Sequence, residues 1–327
     1  MWTPVIFGFF IFRFASLVFD FDDDDDDDDD EEHIDLGTTG SNALFAVADR
    51  LQALYRGKVY VGLRIPDSDT ASRQNIDLVL VTKREAVVVS VINASGIVSI
   101  DGDGTCVCID RSKNKTERLQ DPMVEAKKQV AVLESYFEQR GVALPDGYLS
   151  CKIICPNPNF RTIHPDYFPP EVVSNEQWAE LKHEKKSLSG WIKGALRCGN
   201  KETQKSIQQN LSYILSTAPM WDRLELNNNE HILGEFLEFK GKKDDIVNIK
   251  RSKVSRMIVQ ETSKLDIGDS KIRVLCAPRD YRNEGALCSE WNEVTFGSST
   301  EVLFQLQDTA KIQKIKLSLI LSISLSP

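Results

Sequence analysis

Metal and nucleophile chemistry needs Cys, His, Asp or Glu at ligand spacing, and this chain offers little of it. Its seven cysteines, at positions 106, 108, 151, 155, 198, 276 and 288, form no C-x-x-C pair, and the histidines at 33, 164, 183 and 231 are scattered. That pattern excludes a structural zinc site of the usual kind. Cys106 with Cys108, and Cys151 with Cys155, fall in strand-like stretches and read as small buried residues. The odd count fits reduced thiols of the cytosol or nucleus. The acidic run from Asp22 to Glu32 lacks the spaced ligands and glycine of a calcium loop. It repels itself and has nothing to bury, so it reads as an extended, solvated spacer, with capture of calcium or a basic partner as the sharper alternative. Asp101-Gly102-Asp103-Gly104 fails the same spacing and reads as a turn. Lys240, Lys242, Lys243, Lys250, Arg251 and Lys253 form a basic cluster, relieved by Asp244 and Asp245. Nucleic-acid contact there stays open, but no aromatic residue interleaves for base stacking and a solvated hairpin rim is the simpler reading. Lys182, Lys185, Lys186, Lys193 and Arg197, with Glu180 and Glu184 between them, read as a solvated helical face.

The elements that must position any site come from the rest of the chain. Its 327 residues, 41% hydrophobic and 27% charged, suffice for about two domains, and this composition excludes collagen, coiled coil and bulk disorder. Of the 49 acidic residues, twelve lie at Asp20 and from Asp22 to Glu32, which leaves 37 against 40 basic ones. The net charge of −9 is therefore local. The folded body lacks the basic excess of a dedicated nucleic-acid binder.

Residues 2–19 are apolar apart from Thr3, Arg13 and Ser16, and such a stretch is long enough to cross a bilayer as a helix. Eleven of them are Phe, Ile, Leu or Val, worth about −3 to −7 kcal/mol on insertion against about +2.5 to +3.5 for an arginine near the centre. A membrane anchor is thus favoured over a cleaved signal peptide, which lacks a basic n-region and a cleavage motif here, and over a soluble tail. With reduced cysteines, the body is expected to face the cytosol. A soluble cytoplasmic or nuclear chain is the alternative.

From Ser41, the residues Leu44, Val47, Ala48, Leu51, Leu54 and Tyr55 make a helical stripe, closed by Gly57. Lys58 to Leu63, Ile76 to Thr82 and Ala86 to Asn93 are short, β-branched and separated by turn signals, as three successive strands should be. Ile97 to Ile100 and Thr105 to Ile109 are expected to extend that sheet as a hairpin. Asp121-Pro122 opens a second helix with the stripe Ala126, Val130, Leu133 and Phe137. Ser150 to Cys155 follows as a buried strand. This order predicts a mixed sheet covered by helices.

Here the residues carry a resemblance. The stretch Lys58 to Gly96, with Ile76-Asp77-Leu78-Val79-Leu80-Val81 followed by Ala86-Val87-Val88-Val89-Ser90-Val91-Ile92-Asn93-Ala94-Ser95-Gly96, resembles the nuclease-related (NERD) domain family. Asp121-Pro122-Met123-Val124-Glu125 is similar to that family's N-P-x-x-Q. The resemblance spans about residues 41 to 160. It implies a restriction-endonuclease-like fold, whose site is an Asp ending one strand and an E-x-K on the next. In such a site two carboxylates hold Mg²⁺, which polarises the phosphate and activates water, while the lysine stabilises charge or positions the nucleophile. Asp77 takes the place of the aspartate. Ser90 stands where the glutamate should be, Ile92 where the lysine should be, and Glu125 in place of the glutamine, while Gly40-Ser41-Asn42 lacks the glutamate many members carry. Lys83 lies roughly 20 Å along the strand from Asp77 and cannot replace the lysine. Lys127, beside the apolar stripe of the second helix, is the better candidate for a migrated lysine, against the plainer reading of a solvated one. Asp77 itself either binds metal weakly or bonds nearby backbone N–H groups.

Pro156 to Pro170 reads as an irregular connection, followed by helices at Asn175 to Lys182, Leu188 to Leu196 and Glu202 to Leu215. Then the period switches to two, with strands at His231 to Phe239, Ile246 to Ile249, Val254 to Gln260, Ile272 to Cys276, Glu293 to Phe296, Glu301 to Gln307 and Lys314 to Leu325. These make a small, mostly antiparallel β domain, barrel or sandwich. The expected order is an anchor at 1–19, an acidic spacer at 20–36, a nuclease-related α/β domain at 37–160, a connection and helices at 161–219, and a β-rich domain at 220–327. The fold class is α/β. The leading functional reading is a membrane-tethered pseudoenzyme of the NERD kind that acts by binding or scaffolding and needs no cofactor. The alternatives are a Mg²⁺-dependent nuclease using Asp77, and a membrane-associated adaptor unrelated to nucleic acid. The protein partner is unnamed by the sequence.

Overall fold

The computed structural model describes residues 38–100, 106–110, 115–119, 121–162, 169–181, 201–241, 253–261, 271–279, 291–307 and 309–326. The expected anchor, acidic spacer, Asp101 to Gly104 turn, Leu188 to Leu196 helix, Ile246 to Ile249 strand and most of the Lys240 to Lys253 cluster lie outside them. Residues 36–327 form one compact unit.

Helix α1 (Thr38–Tyr55) buries Leu44, Val47, Ala48 and Leu51 on one face of a sheet. That sheet contains β1 (Lys58–Pro66), β2 (Arg73–Val81), β3 (Ala86–Val91), then β7 (Leu149–Ile154) and β9 (Val172–Val173), in the spatial order β1-β2-β3-β7-β9. The first three run antiparallel, while β3–β7 and β7–β9 are parallel, so the sheet is mixed as expected. Helix α2 (Pro122–Glu138) covers the other face with Ala126, Leu133 and Phe137, and its Asp121 cap accepts from the Met123 N–H at 2.8 Å. Leu211, Ile214 and Leu215 of α4 (Lys201–Ser216) complete that layer. A short α3 (Asn175–Glu180) opens with a Ser174–Gln177 capping box.

The hairpin expected to extend this sheet does not join it. Strands β4 (Gly96–Ile100) and β5 (Cys106–Asp110) form a separate four-stranded sheet with β6 (Lys115–Leu119) and β8 (Phe160–Thr162), ordered β6-β5-β4-β8. The reason is steric: β2 and β7 already occupy both sides of β3, and Gly96, at φ +126, turns the chain away. The connection from Pro156 to Pro170 is likewise more regular than its prolines imply, since it contributes β8.

The C-terminal part is one antiparallel sheet of eight strands: β10 (Asp222–Leu226), β11 (His231–Lys240), β12 (Val254–Glu261), β13 (Lys271–Pro278), β14 (Asn292–Gly297), β15 (Glu301–Leu306), β16 (Ile312–Lys316) and β17 (Ile320–Ser324). Their order is β14-β13-β12-β17-β10-β11-β15-β16. In a flat sheet β11 and β14 would lie about 24 Å apart, yet the rings of Phe239 and Phe296 meet at 4.7 Å. The sheet therefore curls around its apolar face, between the barrel and sandwich expected. The single strand expected over Lys314 to Leu325 is broken by a 3₁₀ turn at Leu317–Leu319, which lets β16 pair with β15 while β17 inserts between β10 and β12. Buried Asp222 holds this arrangement, accepting from the N–H groups of Phe236 and Ser326, each at 2.7 Å.

The two sheets are joined across the outer edge of β1. Arg64 N–H donates to the Pro219 carbonyl and Trp221 N–H to the Gly62 carbonyl, both at 2.8 Å. The Arg64 guanidinium lies 3.9 Å from the Trp221 ring centre and 3.5 Å from Glu235. On α1, Asn42 Oδ1 accepts the His231 N–H at 2.7 Å, and the Phe45 and His231 rings meet at 4.5 Å.

At the opposite end of the mixed sheet, Glu85 in the β2–β3 turn is only 5% exposed. Burial holds its carboxyl above the usual carboxylate range, with Arg84 opposing. Burial also pushes the Tyr148 phenol up to about 12, and the Glu85 charge adds to it. The folded protein binds the Glu85 proton more tightly than the unfolded chain, so this group's contribution to stability is lost as pH rises from the ordinary carboxylate value through the raised one. Glu85→Gln should therefore flatten the fall in stability as pH rises above the ordinary carboxylate value, read by urea unfolding. An unchanged pH slope would contradict this account.

Candidate functional site

The candidate site lies where the β2–β3 ladder runs out. Paired residues extend from Val81↔Ala86 to Leu78↔Val89, and one step further Asp77 comes level with Ser90. On its other side Asp77 is level with Gly62, between the pairs Val61↔Leu78 and Leu63↔Ile76. Gly62 has φ +68, a conformation that favours glycine. There both strands change faces: Val61 and Leu78 pack under α1, whereas Leu63 and Ile76 pack in the cluster under α2. This half-turn frees the Asp77 carboxylate to reach β3, where Oδ2 accepts the Val91 N–H at 2.8 Å. Asp77 thus makes a backbone bond of the kind that one of its two expected roles requires.

Strand alternation turns Ser90 and Ile92 toward α2. Ser90 Oγ donates to Gln129 Oε1 at 3.2 Å, and Gln129 Nε2 donates to the Asn75 carbonyl at 3.1 Å. Gln129 is only 7% exposed, so its carboxamide ties α2 to both β2 and β3 from inside the layer. Ile92 packs against the cluster of Met123, Ala126, Ile153, Cys155 and Phe160. Glu125, in the first turn of α2, accepts from Gln74 Nε2 on β2. The four positions thus lie in one region, but the carboxylates of Asp77 and Glu125 accept from the Val91 N–H and from Gln74, while Ser90 and Ile92 bring no charge.

Both lysines weighed as replacements are exposed. Lys83 stands in the turn at the far end of β2. The charge of Lys127 acts on Cys151, whose thiol is pushed up by burial and by Glu171, with Lys127 and Lys152 opposing. Gln129 escaped the sequence reading. Its signal was a polar residue three positions after Ala126 and four before Leu133, on the stripe that had to be buried. On the α1 side, beyond the end of β3, an open groove of about 500 Å³ is lined by Ala43, Ala46, Val47, Asn93, Pro156 and Trp178. Arg50 closes one wall, 4.6 Å over the Trp178 ring and bonded to the carbonyls of Ala179 and Leu181.

A Mg²⁺ site of the restriction-endonuclease kind needs two carboxylates and offsets phosphate charge with a lysine. The residues here do not fit it. Among the described residues no three Asp, Glu, His or Cys side chains gather as a metal site, Ser90 presents a neutral hydroxyl already donating to Gln129, and Ile92 is part of an apolar cluster. Ser90→Ala should leave Gln129 Oε1 short of a donor at about 1 kcal/mol. Ile92→Lys should cost more, on the order of 2 kcal/mol, by placing an ammonium against that cluster. Urea unfolding measures both, and equal losses would contradict the packing described.

A search of the curated proteins finds no match for this chain. Residues 39–155, from α1 through β7, match the family model of the nuclease-related domain, NERD, and the helix-and-sheet unit that holds Asp77 and Ser90 is a nuclease-related domain.

Proposed function

We propose that the nuclease-related domain of this chain is a catalytically silent platform that acts by binding or scaffolding, and that residues 2–19 tether it to a membrane with the body facing the cytosol. One observation carries the first part. The two positions that should supply a carboxylate and an ammonium hold Ser90, donating to Gln129, and Ile92, packed against Met123 and Ala126. Neither can contribute charge to a metal or a phosphate. The tether rests on the sequence alone, since residues 2–19 lie outside the described residues and no helix among those described is long and apolar enough to cross a membrane.

Purified full chain should cut neither single- nor double-stranded DNA or RNA with Mg²⁺ or Mn²⁺. Asp77→Asn is the better control, because its side-chain oxygen can still accept the Val91 N–H that Asp77→Ala would strand. Metal-dependent cutting by the wild type that Asp77→Asn loses would establish the alternative, a working nuclease centred on Asp77. For the tether, the full chain should pellet with membranes and resist carbonate extraction, whereas a chain starting at Gly37 should not. Recovery of all full-length protein in the soluble fraction would remove the anchor.

A further inference from the structure

Strand β16 ends the eight-stranded sheet, and its outer side meets no strand among the described residues. Its register with β15 fixes which backbone groups face outward. Lys311 C=O accepts the Leu306 N–H at 3.3 Å and Leu317 N–H donates to Thr300 C=O at 2.9 Å. With the antiparallel period of two, the odd positions bond inward, so the N–H and C=O groups of Ile312, Lys314 and Lys316 point away from the sheet. The same three side chains, with Lys311, are exposed, and Ile312 is 53% exposed. The alternate residues, Gln313 and Ile315, turn inward. Gln313 is only 8% exposed, and its buried Nε2 meets no acceptor.

We propose that β16 is a docking edge for an extended acidic segment of a partner protein, which adds to the sheet as a ninth strand. Three properties of the edge select that occupant. The free N–H and C=O groups alternate at strand spacing, which an extended polypeptide satisfies at both donor and acceptor. Lys314 and Lys316 lie on one face beside Ile312, so an antiparallel partner matches them with acid-x-acid-x-apolar. Between the second acid and the apolar residue, the side chain on the opposite face lies beside Gln313, and a Ser, Thr or Asn there brings an acceptor within lateral reach of its carboxamide. Edge lysines ordinarily guard against self-association, and they do so here: a second β16 aligned on Lys314 sets ammonium against ammonium. The guard against a second copy is an attraction for a carboxylate.

The probe is the peptide acetyl-Ser-Glu-Thr-Glu-Thr-Val-Ser-amide, added to the full chain, with amide hydrogen exchange as the readout. Exchange at Ile312, Lys314 and Lys316 should slow several-fold, with the amides of Gln313 and Ile315 unchanged. The same peptide with both Glu replaced by Lys should bind at least tenfold more weakly. Lys314→Pro removes one outward N–H at a position where an edge strand tolerates proline, and should abolish the protection. Lys314→Glu, which keeps the backbone, should weaken binding about tenfold, so that loss of folding in the proline variant does not decide the matter. Absence of protection at 1 mM peptide, protection elsewhere, or equal binding of the lysine peptide would each overturn the proposal.

Discussion

The Asp77 carboxylate bonds the Val91 amide where the β2–β3 ladder ends, and the layout of the nuclease-related domain depends on this contact. A backbone N–H at that depth left without an acceptor costs about 1–3 kcal/mol. Meeting it with a side chain lets β3 leave β2, and the chain can then turn at Gly96 into the smaller sheet while β7 continues alongside. The face change at Gly62 and Asp77 serves the same end. It brings Leu63 and Ile76 under α2 and leaves the acid between the two apolar clusters.

Gln129 extends the logic to the helix layer. A buried carboxamide needs both donor and acceptor satisfied, and here Asn75 C=O and Ser90 Oγ meet the two needs at once. The result is a polar brace across α2, β2 and β3 that asks for no charge. A carboxylate at Ser90 would set its oxygens against Gln129 Oε1 unless the amide turned over, and turning it over would set Oε1 against the Asn75 carbonyl. The uncharged side chains at Ser90 and Ile92 and the presence of Gln129 are thus mutually consistent.

The C-terminal sheet is tied to the same region. Trp221 bonds Gly62, the residue level with Asp77, and Arg64 bridges to Trp221 and Glu235. The β1 edge, otherwise open beside the candidate site, is thereby filled by residues 219–221. Asp222 follows at once and closes the curled sheet through Phe236 and Ser326. One short segment therefore fixes both the edge of the nuclease-related sheet and the start of the curled one.

Much of this was legible in the sequence because it depends on local period. The stripe of Leu44, Val47, Ala48 and Leu51, the valine-rich β3 and the Asp121-Pro122 start each bury one face by pattern alone, and the resemblance to the nuclease-related family marks Ser90 and Ile92 as standing where its glutamate and lysine would be. What required the tertiary structure was partnership between distant segments. Nothing near Ile97 in the chain says that β3 already has two neighbours, so local pattern alone puts the hairpin in the mixed sheet and the structure puts it in another. Gln129 matters only because Asn75 and Ser90 meet it from two strands. Likewise Lys314 to Leu325 reads as one run of alternating residues, and only the closing of the curled sheet demands a turn at Leu317–Leu319 that sends its halves to different neighbours. Pattern determines which face of an element is buried. Which element covers that face follows from how the chain fills space, and that is set by contacts far apart in sequence.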